Sequence, residues 1–225
     1  MIKDQSKYDW SFFYTLHCRK FIILIKVMSL PNFTNFLIEK GGLTAEEVRQ
    51  VTPFMRTETV ANNAFLLKAG EVCSHSFFVE SGVLRLYALN EEGKENILQF
   101  ATENGIVSDR GSVFFQEPST YYIDAIEPTV VVLFDEAFVN EVAKVNSSFR
   151  VHHEKLLQNH IRHLYKRVSL LIGASAKVRY LEFVQRHPDL MLRVPQWMIA
   201  SYLGITPESL SRVRKALAAE NFKSN

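Results

Sequence analysis

Glu208, Ser211 and Arg212, in the stretch "TPESLSRVRKAL", stand at i, i+3 and i+4, so in a helix they share one face near its N-terminal end. An arginine in that position can grip O6 and N7 of guanine with its planar fork, and a glutamate can accept from N4 of cytosine. This is the chemistry of reading base edges. Gln196 and Thr206 belong to the same candidate set, and Arg214 and Lys215 are placed for phosphate or solvent. The plainer reading of Glu208 and Arg212 is a surface ion pair, worth at most ~0.5 kcal/mol. The two readings are compatible, because such a pair orients both groups.

Base-reading residues need a helix held at a fixed angle. The stretch "QWMIASYLGITPESLSRVRKAL" has the steric features of a helix-turn-helix, in which two helices cross closely around a tight turn. Counting Gln196 as the first position, the fifth is Ala200, small enough for a close crossing. The ninth is Gly204, suited to a left-handed turn, and the fifteenth is Leu210, a large apolar contact. Ile199, Leu203, Ile205 and Val213 supply further core contacts. Thr206 can cap the second helix, and Pro207 fits its first turn, where a missing N–H costs nothing. A plain helical hairpin would meet some of these demands.

The elements upstream change character twice. From about residue 60 to 135, runs such as "SFFVESG", "VLRLYAL" and "TVVVLFD" are separated by glycines and polar turns, which predicts a β-rich antiparallel unit. In "VLRLYAL", Arg85 and Tyr87 fall on one face and Leu84 and Leu86 on the other. Before it, "LTAEEV" predicts a helix capped by Thr44 with Glu47 completing the box. After it, a long helix begins at Asn146 or Ser147, and Leu157, Ile161, Leu164, Val168 and Leu171 recur along it at heptad spacing. Such a stripe either faces the protein's own core or forms a dimer seam, and its position between two units favours the seam. The predicted organisation is an α+β chain. An N-terminal extension or misassigned start occupies 1–28, an antiparallel β-roll 29–145, a dimerisation helix 146–172 and a helix-turn-helix domain 173–225 with little or no wing.

Charge supports that division. Residues 1–149 hold 13 Lys and Arg against 19 Asp and Glu, a net of −6, whereas residues 150–225 hold 13 against 5, a net of +8. A basic end on an acidic body fits a nucleic-acid partner. The apolar run "FIILIKVM" at 21–28 is too short for the ~20 residues that span a bilayer, so no membrane is expected. Cys18 and Cys73 cannot build a disulfide framework or a zinc site, which fits a reducing, cytoplasmic setting. No phosphate loop, nucleophile elbow or paired acid set is present, so catalysis is not expected.

Taken in order, the β-rich unit, the seam helix and the terminal "YLGITPESLSRVRKAL" resemble the Crp–Fnr transcription regulators over residues ~30–220, with a cyclic-nucleotide-binding-like roll. The resemblance implies a homodimer on double-stranded DNA, a palindromic site with half-sites about one helical turn apart, contact with RNA polymerase, and base reading by Glu208, Ser211 and Arg212. Relatives that bind cyclic AMP carry a Gly-Glu pair for the ribose and an Arg-Ser or Arg-Thr pair for the phosphate. Here those places read Ser108-Asp109 and Ser119-Thr120, with Arg110 adjacent. Without the phosphate-binding arginine a strong bidentate contact is missing, so a cyclic AMP response of the usual kind is not expected. Asp109, Arg110, Ser119 and Thr120 are left as a degenerate pocket for an unknown small-molecule effector.

No cofactor or metal is expected. An iron–sulfur cluster needs four cysteines, and His75, His160 and His163 read more simply as structural or solvated side chains. With no predicted wing, phosphate anchoring is expected from Lys177, Arg179 and Arg193. The competing function is a ligand-binding or scaffold module acting through protein contacts.

Overall fold

The β-forming stretches pair as eight antiparallel strands. The computed structural model describes residues 30–223, and in it the strands are β1 (Arg56–Val60), β2 (Phe65–Leu67), β3 (Ser76–Ser81), β4 (Leu84–Leu89), β5 (Glu95–Ala101), β6 (Ile106–Val107), β7 (Tyr122–Ala125) and β8 (Thr129–Phe134). They form two four-stranded sheets, ordered β1-β8-β3-β6 and β2-β7-β4-β5. Helices α1 (Pro31–Glu39) and α2 (Ala45–Val51) come before them, and the short α3 (Arg110–Phe115) lies between β6 and β7. After β8 come α4 (Glu136–Val145), the long α5 (Phe149–Gly173), α6 (Ala176–Arg186), α7 (Leu190–Arg193), α8 (Gln196–Tyr202) and α9 (Pro207–Lys223). This is the expected α+β order of roll, long helix and helix-turn-helix. The proposed extension over 1–28, with Cys18, lies outside the described residues. No strand follows α9 among them, and none of their helices is long and apolar enough to cross a membrane.

Alternate residues of a strand point to opposite faces, and the central strands β3, β4, β7 and β8 are largely buried on both faces. Phe77 and Val79 of β3 meet Leu84 and Leu86 of β4 in the space between the sheets. Phe78 of β3 points the other way, with Val132 and Phe134, against α1, α2, α4 and the start of α5. On the far sheet, Val83, Tyr87, Ile97 and Phe100 carry the C-terminal helices through Phe183, Ile199 and Leu210. The layers therefore run helices, sheet, sheet, helices.

The alternation in "VLRLYAL" persists, but the face holding Arg85 is buried under the C-terminal helices. Arg85 lies opposite Asp124 in the β4–β7 register, and its Nε and Nη2 donate to that carboxylate at 2.6 and 2.9 Å. Glu95 pairs with the same guanidinium, which lies 4.3 Å from the Tyr87 ring centre. Against the cost of burial, Asp124 and Glu95 hold the Arg85 pKa above its ordinary value. At the β3–β4 turn Gly82 has φ +102°, and a Cβ there would sit 2.3 Å from Thr129 Oγ1, so only glycine fits.

Helix ends follow local chemistry where the sequence supplies it. Thr44 and Glu47 form both bonds of the predicted capping box, and Asp135 and Ser175 cap α4 and α6. For α1, Leu30 offers no side-chain cap. The buried Glu80 of β3 supplies one from across the fold, its two oxygens accepting from the backbone N–H of Asn32 and Phe33 at 2.8 Å each. The long helix starts slightly later than predicted: Asn146 Oδ1 accepts from Ser148 N, making a turn before Phe149.

Candidate nucleic-acid interface

The two helices of the predicted motif are α8 and α9, and the turn between them is set by Gly204 at φ +64°. A Cβ there would lie 3.3 Å from both Arg179 Nη1 and Leu171 Cδ2. Ile199, Ala200, Leu203 and Leu210 are buried where the helices cross. Thr206 Oγ1 accepts from Ser209 N at 3.2 Å, so it caps α9.

With its apolar side packed, α9 presents the opposite side outward. At 3.6 residues per turn Glu208, Ser211, Arg212 and Lys215 share that face, and all four are exposed. Arg212 Nη2 donates to Ser209 Oγ at 3.2 Å. The Glu208 carboxylate is held below its ordinary pKa by its own backbone N–H, then by Thr206, with smaller help from the Arg212 charge. Arg214 lies to one side, where Nη1 donates to Gln196 Oε1 at 2.6 Å and ties α9 to the start of α8. Of the seven sequence-predicted residues, four thus form the exposed row, Thr206 caps its helix, and Arg214 and Gln196 pair beside it.

Residues on other elements fix this surface to the rest of the protein. Arg167 of α5 stacks on Tyr202, 3.6 Å from its ring centre, and Nη2 donates to the carbonyls of Tyr202 and Ile97 at 3.0 and 3.2 Å. Arg179 Nη1 donates to Leu203 O at 2.7 Å. The two arginines thereby satisfy carbonyls at the C-terminal end of α8, where the helix has no further N–H to offer. Ser201 Oγ accepts from Ile97 N at 3.0 Å and donates to Glu95 O at 2.9 Å, acting as a neighbour for the edge strand β5. Arg193 is clamped between Glu103 and Glu127 at 2.9 and 2.5 Å. That contact, foremost among several, lowers the Glu103 pKa to about 2.

Arg179 and Arg193 therefore face inward, and Lys177 pairs with Glu220 at 2.7 Å. The phosphate-anchoring role expected of these three is not one their placement favours. The internal roles of Arg167, Ser201 and Arg193 escaped the sequence reading, since nothing local marks which surface cation turns inward.

On α5, Ile161, Leu164 and Val168 are 44, 46 and 50% exposed, and Leu171 is also exposed. Among the described residues this stretch is left largely uncovered, whereas Leu157 is half-buried. The four candidate effector residues are not gathered into one pocket. Asp109 Oδ1 accepts from Ser112 N at 3.2 Å and caps α3. Ser119 is buried, with Oγ accepting from Tyr121 N at 3.0 Å, and Thr120 is exposed. Arg110 turns toward α5, into a cavity it lines with Ser108, His153, Leu157 and His160. His75 sits in a hydrogen-bonded cluster with Ser74 and Arg56. No grouping of three or more metal-binding side chains exists among the described residues.

Comparison with known proteins adds to this geometry. A cyclic nucleotide-binding domain matches residues 57–146. The chain is 22% identical to an anaerobic regulatory protein of Pasteurella multocida, over 86% of this chain and 81% of that one. It is also 22% identical to the fumarate and nitrate reduction regulatory protein of Yersinia pestis, over 94% of this chain and 84% of that one. Among solved structures, FixK2 from Bradyrhizobium japonicum aligns with a TM-score of 0.63 at 20% identity, covering 74% of this chain and 86% of FixK2.

Proposed function

We propose that the chain is a regulator of the Crp–Fnr type, sequence-specific in transcription, that binds double-stranded DNA as a homodimer. The observation that carries this reading is the exposed row Glu208, Ser211, Arg212 and Lys215 on a helix whose other side is packed and whose start is capped. Glu208, Ser211 and Arg212 are the base readers, and Lys215, Arg214, Thr206 and Gln196 orient the helix on the backbone. Two copies pair through Ile161, Leu164, Val168 and Leu171, with Leu157 at the seam's inner end, and the site on DNA is a palindrome. The relatives are regulatory proteins by name, and the reading assigns no catalysis here. It places the protein in the cytoplasm, with RNA polymerase as a downstream contact.

The reading does not include cyclic AMP bound in the family's usual way. Asp109 Oδ1 and Ser119 Oγ each accept from a backbone N–H, and Ser119 stands where the phosphate-binding arginine would be.

Charge reversal tests the assignment. Arg212→Glu should abolish sequence-specific binding in a mobility-shift titration while leaving the circular dichroism spectrum and self-association unchanged. Undiminished specific binding by that variant would refute the role given to α9.

A further inference from the structure

The guanidinium of Arg110 is half-buried and makes no hydrogen bond or ion pair with any described residue. Burial pushes its pKa down, opposed among the described residues by the charge of Glu154, exposed on α5. An unpaired cation out of water is costly, so its surroundings matter. The cavity it enters lies between α1, the end of β8, α4 and the first turns of α5, and holds about 630 Å³ of space, its mouth included. Five phenylalanine rings wall it, among them Phe36, Phe138 and Phe149. His153 and His160 stand on the same side as the arginine. Burial, and then the Arg110 charge, keeps both imidazoles below the ordinary histidine pKa.

This space is separate from the interior of the roll. Leu84, Leu86, Val107 and Ile123 fill the gap between the sheets.

The walls select the occupant. Aromatic rings favour an apolar body. A single desolvated guanidinium favours one carboxylate, which can accept two parallel N–H bonds. A phosphate dianion would leave a second charge uncompensated in an apolar wall, and a sugar would set hydroxyls against phenyl rings. We propose that this cavity binds a monocarboxylic acid with an aromatic or acyl body, its carboxylate held by Arg110 and Ser108 and its body lodged among the phenylalanines. His153, Leu157 and His160 belong to the helix that carries the seam, so an occupant touches the element that spaces the two copies. The use of the site as an effector site rests on the regulator reading above, whereas binding itself does not.

Isothermal titration of the full-length protein with phenylbutyrate and with decanoate tests the site without DNA. Saturable binding of at least one acid is expected, with the corresponding uncharged amide and the Arg110→Gln variant each at least tenfold weaker and Arg110→Lys in between. The acid–amide comparison needs no variant, and a melting curve confirms that Arg110→Gln is folded. No binding of either acid, equal binding of acid and amide, or undiminished binding by folded Arg110→Gln would overturn the proposal. A mobility shift with and without the bound acid then reads coupling. Unchanged DNA affinity would leave the site standing and remove its use as an effector site, and failure to bind DNA at all would count against the regulator reading alone.

Discussion

Arg212 and Glu80 show how differently two charged side chains serve the same chain. Arg212 is exposed and lightly held, so its replacement should cost little stability and nearly all specificity. A lost bidentate base contact is worth about 1–3 kcal/mol per half-site, and Arg212→Glu adds repulsion from phosphate. Glu80 is the reverse case: buried, far from α9, and the cap for the otherwise uncapped α1. Glu80→Ala leaves two backbone N–H groups without acceptors and should lower unfolding free energy by about 2–4 kcal/mol, measured by urea denaturation. A loss below about 0.5 kcal/mol, the usual size for a surface change, would show that α1 does not depend on it. The exposed row Glu208, Ser211 and Arg212 was legible in the sequence because its residues are neighbours along one helix. The Glu80 cap was not, because its partners lie 48 and 47 residues away and no local pattern announces them. Arg193 failed for the same reason: a basic residue near the motif suggested phosphate, and two acids from the roll claimed it instead.

At the scale of elements, strongly periodic or capped segments could be read and short ones could not. The heptad stripe of α5, the Thr44–Glu47 box and the alternation in β4 all appear where the pattern placed them. β1 reads "RTETV" and is largely exposed, so it lacks the apolar signal of a strand and owes its place to pairing with β8. β6 has two residues and α3 six, too few for any period to show. Two elements carry predictions. The exposed part of the α5 stripe should hold the dimer, so Leu164→Glu with Val168→Glu should yield monomers by light scattering and weaken DNA binding at least tenfold, about 1.4 kcal/mol or more. A double variant that stays dimeric would move the interface elsewhere. The contact of α7 with the roll should depend on pH through Glu103. Its pKa falls from 4.5 to about 2 on folding, so its contribution is fully present above 4.5 and is lost as pH falls through about 2. The stability gap between the protein and Glu103→Gln should therefore close between about pH 4.5 and pH 2, with partial exposure limiting it to ~1 kcal/mol. A gap independent of pH would show that the carboxylate is not paired in solution.

Over the whole molecule, the asymmetry of charge becomes an asymmetry of place: the acidic roll lies on one side and the basic helices on the other. The contacts through Arg167, Ser201 and Arg193 tie the helix-turn-helix to both α5 and the roll. A change along α5 thus has a physical route to the angle of α9. A dimer that neutralises about 6–10 phosphates should lose roughly 10³–10⁵ in affinity between about 50 and 200 mM salt, and a flat response would exclude the backbone as its main ligand. The central claim is that two copies of α9 enter successive major grooves of one duplex. Selection of bound sequences from random duplex DNA by the purified protein tests it most directly. An enriched inverted repeat is expected, with half-site centres about 10 base pairs apart or a whole number of turns further. Enrichment of an unrepeated site, or none at all, would contradict it.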